Sequence, residues 1–399
     1  MRVLVTTSGS SGHFNPLIPF AEAVRGSGGE VLVAARESMA HIPRTAGYDV
    51  WTFADAAEED RAPLFRRAYE LPFDDANVLV VSEVFARLDG GAALPRVLDA
   101  CDAWKPDLVL SEVCEFAGAL AAERCGVPAV RVGIGLSSTE DLVMREASAA
   151  LQDVRAEAGM EHDPAGARIT GLPYFTLTPP LMEDPAAPGP AAARRFREHD
   201  DAAPGALPDW WDGDDAPLVY LTLGSVAPQM QFFPGVYRAA IDALAPLPVR
   251  VLVTIGRDRD PADLGPLPAN VHAERWVPQA DVMPHAAAMV CHGGFGTVRA
   301  ALCAGVPQVL LPLFADQPYN ARRAAAMGAG IMLDGGPAAV AGIGPAVREV
   351  LSEPGYAECA RRVADDVRRL PVVDVAVNLL QKVVQDHAPA LPHGYAAAR

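Results

Sequence analysis

Lysine is almost missing from this sequence. Of its 399 residues only Lys105 and Lys382 are lysines, and 50 acidic residues against 33 basic ones give a formal net charge of −17. A chain with that field repels polyanions, which excludes nucleic acid and an anionic membrane surface as main partners. A small anion is still admissible where the N–H groups of a helix start face it. Paired cysteine motifs are missing as well: Cys101, Cys114, Cys125, Cys291, Cys303 and Cys359 stand far apart, with no C-x-x-C among them. That excludes a zinc ribbon or a disulfide framework and fits the reduced thiols of a cytoplasm. No run of about 18 apolar residues is present that could span a bilayer. The opening Met1-Arg2-Val3-Leu4-Val5 reads as a strand, not as a charged and apolar leader. A cytoplasmic protein without stable membrane insertion is expected.

What is present is a repeated strand–helix rhythm in a chain long enough for two domains, with half its residues hydrophobic. Residues 2–7 (RVLVTT) form a short apolar run of the kind buried in a parallel sheet. The loop Ser8-Gly9-Ser10-Ser11-Gly12-His13 follows, with Asn15 expected as the cap of the next helix and Pro16 in its first turn. Strands are expected again at 30–34, 107–111 and 127–132, then at 218–223, 249–255, 271–274, 288–291 and 308–311. Residues 183–217, rich in Pro, Ala, Gly and Asp, read as a linker. The expected fold is α/β: two tandem Rossmann-like, doubly wound parallel-sheet domains facing a cleft. The first would cover 1–182 and the second 218–370. A helix over 371–387, set off by Pro371, would cross back onto the first domain, and 388–399 would form a mobile tail. Residues 51–90 and 136–182 fit no simple strand–helix unit. They read either as peripheral helices with a small core of their own or as an apolar binding cleft, with Phe65, Tyr69, Phe73, Phe85 and Phe116 as its candidate wall.

The chemistry concentrates between Trp276 and Gln317. The expected strand ending at Cys291 runs into His292-Gly293-Gly294-Phe295-Gly296-Thr297 and then a helix. Glycines let backbone approach a phosphate closely, and the helix start turns free N–H groups and a positive dipole end towards it. His292 can add a hydrogen bond to a diphosphate oxygen. Trp276-Val277-Pro278-Gln279 supplies a flat indole for a base, and Asp316-Gln317 supplies acceptors and donors for sugar hydroxyls. Gly294-Phe-Gly296-Thr-Val-Arg299 is nearly a dinucleotide fingerprint, but Arg299 stands where close helix–strand packing wants Gly or Ala. Asp258-Arg-Asp260 spells a D-x-D that could hold a divalent cation; among several acidic clusters it reads better as a solvated loop, and no metal is expected. His13, after a glycine loop at a strand end, has the right ordinary pKa, about 6.5, for a general base near neutral pH.

Taken together, W-x-P-Q, H-x-G-x-G-T, D-Q and the opening G-x-x-G-H resemble the inverting GT-B glycosyltransferases that use nucleotide sugars, in particular their bacterial natural-product branch. The resemblance covers the whole chain and implies transfer of a sugar from a nucleotide diphosphate to a small apolar aglycone, with no cofactor beyond the donor substrate. By that resemblance Trp276 stacks on the base, the Val277 main chain bonds its edge and Gln279 lies near the ribose. His292, Gly294, Gly296, Thr297 and Ser225 hold the diphosphate, and Asp316 and Gln317 the sugar. His13 is the implied base, paired with a carboxylate at a later strand end; Glu112 is the matching position and Glu115 its competitor. Ala300 stands where plant members carry a ribose-binding glutamate, so a dTDP-sugar is expected over a UDP-sugar. A homodimer is compatible with the sequence. A cell-envelope transferase, an epimerase and an auxiliary binding protein of the same fold stay open at this point.

Overall fold

The computed structural model describes residues 1–199, 205–211 and 213–387. The expected tail and part of the expected linker lie outside the described residues. The first sheet contains β1 (Arg2–Thr7), β2 (Glu30–Arg36), β3 (Asp49–Phe53), β4 (Leu108–Glu112), β5 (Ala129–Gly133), β6 (Tyr174–Thr176) and β7 (Arg194–Arg195). The second contains β8 (Leu218–Thr222), β9 (Arg250–Thr254), β10 (Val271–Glu274), β11 (Ala286–Cys291), β12 (Gln308–Leu310) and β13 (Gly330–Met332). Their orders are β3-β2-β1-β4-β5-β6-β7 and β10-β9-β8-β11-β12-β13, with parallel ladders between neighbours. Both sheets therefore share one winding: the first strand is central, the next two lie on one side of it and the fourth on the other.

Strands this apolar are stable only when both faces are covered. Leu4 packs into one core of the first domain, whereas Val3 and Val5 pack into the other. In the second domain Val219 and Leu221 face one core and Leu218 and Tyr220 the opposite one. The helix Val375–His387 buries Ala376, Val377 and Leu380 in the first domain, beside Phe20 and Phe196. Two backbone bonds lead it there, Arg197 N to Pro371 O and Val373 N to Arg197 O. No helix among the described residues is long and apolar enough to cross a membrane.

Several expectations need correction. Helical backbone begins at Ser11, so Asn15 is no cap; Ser11–Phe14, Asn15–Leu17 and Ile18–Gly26 form three short helical pieces. Pro16 and Pro19 cannot donate to the helix ladder, which accounts for the interruptions. Pro318 sits in the first turn of Gln317–Ala326, where its missing N–H costs nothing. Residues 58–104 are almost wholly helical and include a π-helical stretch, Val80–Asp89. That stretch and the long helix Ser137–Glu157 share the main core of the first domain, through Val81, Ala86, Val143 and Leu151, and have no separate small one.

Candidate active site

In an open parallel sheet, the chain leaves the first and fourth strands towards opposite faces and opens a crevice at their carboxyl ends. β1 and β4 are such neighbours, with Thr6 opposite Ser111. His13 stands on the turn after β1 and Glu112 ends β4. Their side chains meet at 3.0 Å, His13 Nδ1 to Glu112 Oε1. A carboxylate only accepts, so Nδ1 carries the proton and Nε2 keeps a free lone pair. Glu112 is fully buried and is itself fixed by the Ser8 N–H on Oε1, at 3.1 Å, and the Cys114 N–H on Oε2, at 2.6 Å. Burial pulls the His13 pKa down, but the charge and hydrogen bond of Glu112, with the Asp316 charge behind them, leave it above 6.5. Burial likewise pushes Glu112 up, and His13 with the two backbone donors brings it net below its ordinary 4.5.

Glu115, which the sequence alone left as a rival, has a different task. It caps the helix Phe116–Cys125 by accepting the N–H groups of Ala117 and Gly118, both at 2.9 Å, and burial raises its pKa to about 7. His13, Glu112 and Cys114 each bring one donor atom within 4.8 Å of the others, the one group of this kind among the described residues. Burial holds the Cys114 thiol well above 9. Of the aromatic wall, Phe85 meets the His13 ring edge-on at 6.0 Å, from the π-helical stretch. Phe116 is buried in the core behind it, and both line a cavity of about 10 Å³ with Ser8 and Arg36. Phe65 lies under the Arg61 guanidinium, Tyr69 is 63% exposed, and Phe73 faces Tyr319 of the second domain.

The second domain repeats the arrangement at β8 and β11, with Thr222 opposite Cys291. Gly224 (φ +79°) and Gly293 (φ +84°) turn the chain out of these strands in the left-handed region. His292 lies between the two turns. A Cβ at Gly224 would sit 2.6 Å from its ring and one at Gly294 2.4 Å from Nε2, so only glycine fits beside the imidazole. His292 is buried, its Nδ1 has no partner, and burial lowers its pKa to about 4. It is a neutral imidazole at neutral pH. Gly294 stands at the N-cap of helix Phe295–Cys303, whose geometry leaves the N–H groups of Phe295, Gly296 and Thr297 free of intrahelical partners. Ser225 is exposed in the facing turn.

Asp316 and Gln317 open the helix after β12. Burial raises the Asp316 pKa, and Asn320 Nδ2 bonds its Oδ2 at 2.7 Å and the Gly293 carbonyl at 3.0 Å. Gln317 is buried, with Oε1 committed to the N–H groups of Leu313 (2.8 Å) and Phe314 (3.0 Å). Its amide NH₂ is the group left for a hydroxyl. Trp276 is 50% exposed after β10, with the Arg257 guanidinium 3.8 Å from the centre of its ring. Val277 and Gln279 follow, half-buried, where a helical turn begins. In the D-x-D, Asp260 caps the turn Pro261–Leu264 and Asp258 accepts from Gln229 at 3.1 Å, so both already have protein partners. Arg299, on the helix after His292, pairs with Glu198 at 2.7 Å, a contact that Gly or Ala could not make. Sequence reasoning passed over Asn320 and Arg257. The first was readable as one turn after Asp316, and the second stood in a loop weighed only for metal.

The family model for the N-terminal domain of erythromycin biosynthesis protein CIII-like proteins matches residues 22–224, and the model for their C-terminal domain matches residues 238–382. An L-demethylnoviosyl transferase of Streptomyces niveus is 32% identical over 98% of this chain and 100% of its own length. The elloramycin glycosyltransferase ElmGT of Streptomyces olivaceus is 32% identical over 95% of this chain and 97% of its own. Among solved structures, the glycosyltransferase VinC in complex with dTDP superposes with a TM-score of 0.76 at 25% identity, over 97% of this chain and 100% of that one. The chain thus belongs to the erythromycin biosynthesis protein CIII-like family and is a natural-product glycosyltransferase of the GT-B fold.

Proposed function

We propose that the protein moves a deoxysugar from a dTDP donor to a hydroxyl of an apolar aglycone, with inversion at the anomeric carbon and His13 as general base. The observation that carries this reading is the His13–Glu112 pair, held at the crevice of one domain and feeling the charge of Asp316 on the other. His13 Nε2 takes the acceptor O–H proton as that oxygen bonds to the anomeric carbon. The bond from that carbon to the diphosphate breaks, and dTDP leaves with the electron pair. Glu112 keeps Nδ1 protonated and offsets the charge of the imidazolium. The leaving diphosphate is met by the helix start at Phe295–Thr297 and by His292.

Two features favour thymidine. Ala300 offers no carboxylate for a ribose diol, and VinC, of similar fold and 25% identity, was solved with dTDP. An apolar acceptor agrees with Phe85 against His13. The test pairs two measurements. His13→Ala should bind dTDP as the wild type does and lose about 10²–10⁴ in turnover. Competition between dTDP-glucose and UDP-glucose should favour the former. Full activity in the variant removes the proposed base, and a preference for UDP removes the proposed donor.

A further inference from the structure

Helix Phe73–Leu79 belongs to the first domain, and none of its residues is fully buried there. Three contacts leave it for the second domain, one to the loop at Ala315 and two to Tyr319 in the first turn of helix Gln317–Ala326. Asn77 Nδ2 donates to the Ala315 carbonyl at 3.3 Å, and the Tyr319 hydroxyl donates to Asp74 Oδ1 at 2.7 Å. The Phe73 and Tyr319 rings lie 5.6 Å apart, tilted by 57°. The gripped loop carries Asp316. Its neighbour Ala315 has φ +55°, a left-handed conformation unfavourable for a residue with a Cβ. Backbone of this kind persists only where its surroundings hold it. Asn320 holds one side, through Asp316 and Gly293, and the helix of the other domain holds the opposite one.

We infer that helix 73–79 is a cross-domain clamp that sets the Asp316 carboxylate against the donor sugar. Asp74, Asn77 and Tyr319 are then positioning residues for donor recognition, although two of them lie in the domain that takes the acceptor. The inference rests on the proposed reading of Asp316 as a sugar ligand. Its consequence is a divided grip. The nucleotide is held by the second domain alone, through Trp276 and the turn at His292, whereas the sugar is held fully only when the two domains touch.

Binding of dTDP and of dTDP-glucose to the full-length protein separates the two parts of that grip. Asn77→Ala, Asp74→Ala and Tyr319→Phe, the last keeping its ring against Phe73, should bind dTDP as the wild type does. Each should lose about 2- to 12-fold in affinity for dTDP-glucose, the worth of one hydrogen bond. Asp316→Ala is the control for the underlying reading. If it leaves the dTDP-glucose affinity unchanged, Asp316 is no sugar ligand and the clamp falls with it. If Asp316→Ala weakens the sugar nucleotide while all three clamp variants bind it normally, the clamp alone is overturned. Equal weakening of dTDP and dTDP-glucose in the three variants marks a merely structural contact and also overturns it.

Discussion

At the scale of single side chains, His13 and Glu112 pull each other's pKa values in opposite directions, and a pH window follows. His13 is held above 6.5, so its share of the pair's stability is complete below that value and is lost as pH rises through the folded one. Glu112 is held below 4.5, so its share is present above that value and is lost as pH falls through its lowered folded one. Urea unfolding should therefore show the largest stability gap between wild type and Glu112→Gln between about pH 4.5 and 6.5, closing on both sides. In the same variant burial still acts on His13 without the carboxylate. The acid limb of its kcat/KM profile should move to lower pH, and kcat should fall by about 10²–10⁴ through loss of the correct tautomer. An unmoved acid limb would show that His13 is not the group being titrated. Arg257 offers a second test at this scale, since it covers a face of the indole. Arg257→Met should tighten thymidine, which then displaces no guanidinium, and weaken dTDP by loss of a positive charge; titration calorimetry of both ligands checks the two signs. His13 was legible in the sequence from its place after a glycine loop. The resemblance pointed to Glu112 over Glu115, but the residues alone did not, because two carboxylates three residues apart at a strand end differ only in which backbone N–H groups they meet.

At the scale of elements, the turn after β11 and its facing turn after β8 are built around one imidazole. Gly294 has an ordinary helical-entry backbone, φ −60°, so Gly294→Ala carries no conformational strain and acts only through its clash with His292. It should cost about 1–3 kcal/mol in overpacking and weaken dTDP more than it lowers the melting temperature, which binding and unfolding curves on one preparation decide. The place of these glycines, between a strand end and a helix start, was readable. That they also make room for the His292 ring was not, since Gly224 lies far from it in sequence and reaches it only through the β8–β11 ladder. β3 (Asp49–Phe53), as long as strands that were expected, was missed because Trp51 and Phe53 read as part of the irregular aromatic stretch; for other strands element length was the limit. β6, β12 and β13 have three residues each, too few for any period to show, and only β12 sat in a longer apolar run. The π-helical stretch that brings Phe85 to His13 has no signature in an apolar–polar pattern.

At the scale of the whole molecule, the last helix is a tie from the end of the second domain to the core of the first. Leu380 is fully buried there, so Leu380→Ala should destabilise by about 2–5 kcal/mol. Because that core belongs to the first domain, calorimetry should show its transition moving down and away from the other one. A single transition displaced as a unit would mean that the two halves unfold inseparably. The tandem winding was legible from the strand rhythm alone, whereas the contacts between halves were not, because no local pattern encodes what faces a residue more than 200 positions away, as Asn77 faces Ala315. Those contacts carry a cost for anyone wishing to recombine such enzymes. A hybrid that takes its front half from one parent and its back half from another inherits two intact sheets, yet the pairing of Asp74 with Tyr319 and of Asn77 with Ala315 must be rematched by hand. Chimeras that ignore this handshake would still load nucleotide while gripping its sugar more weakly.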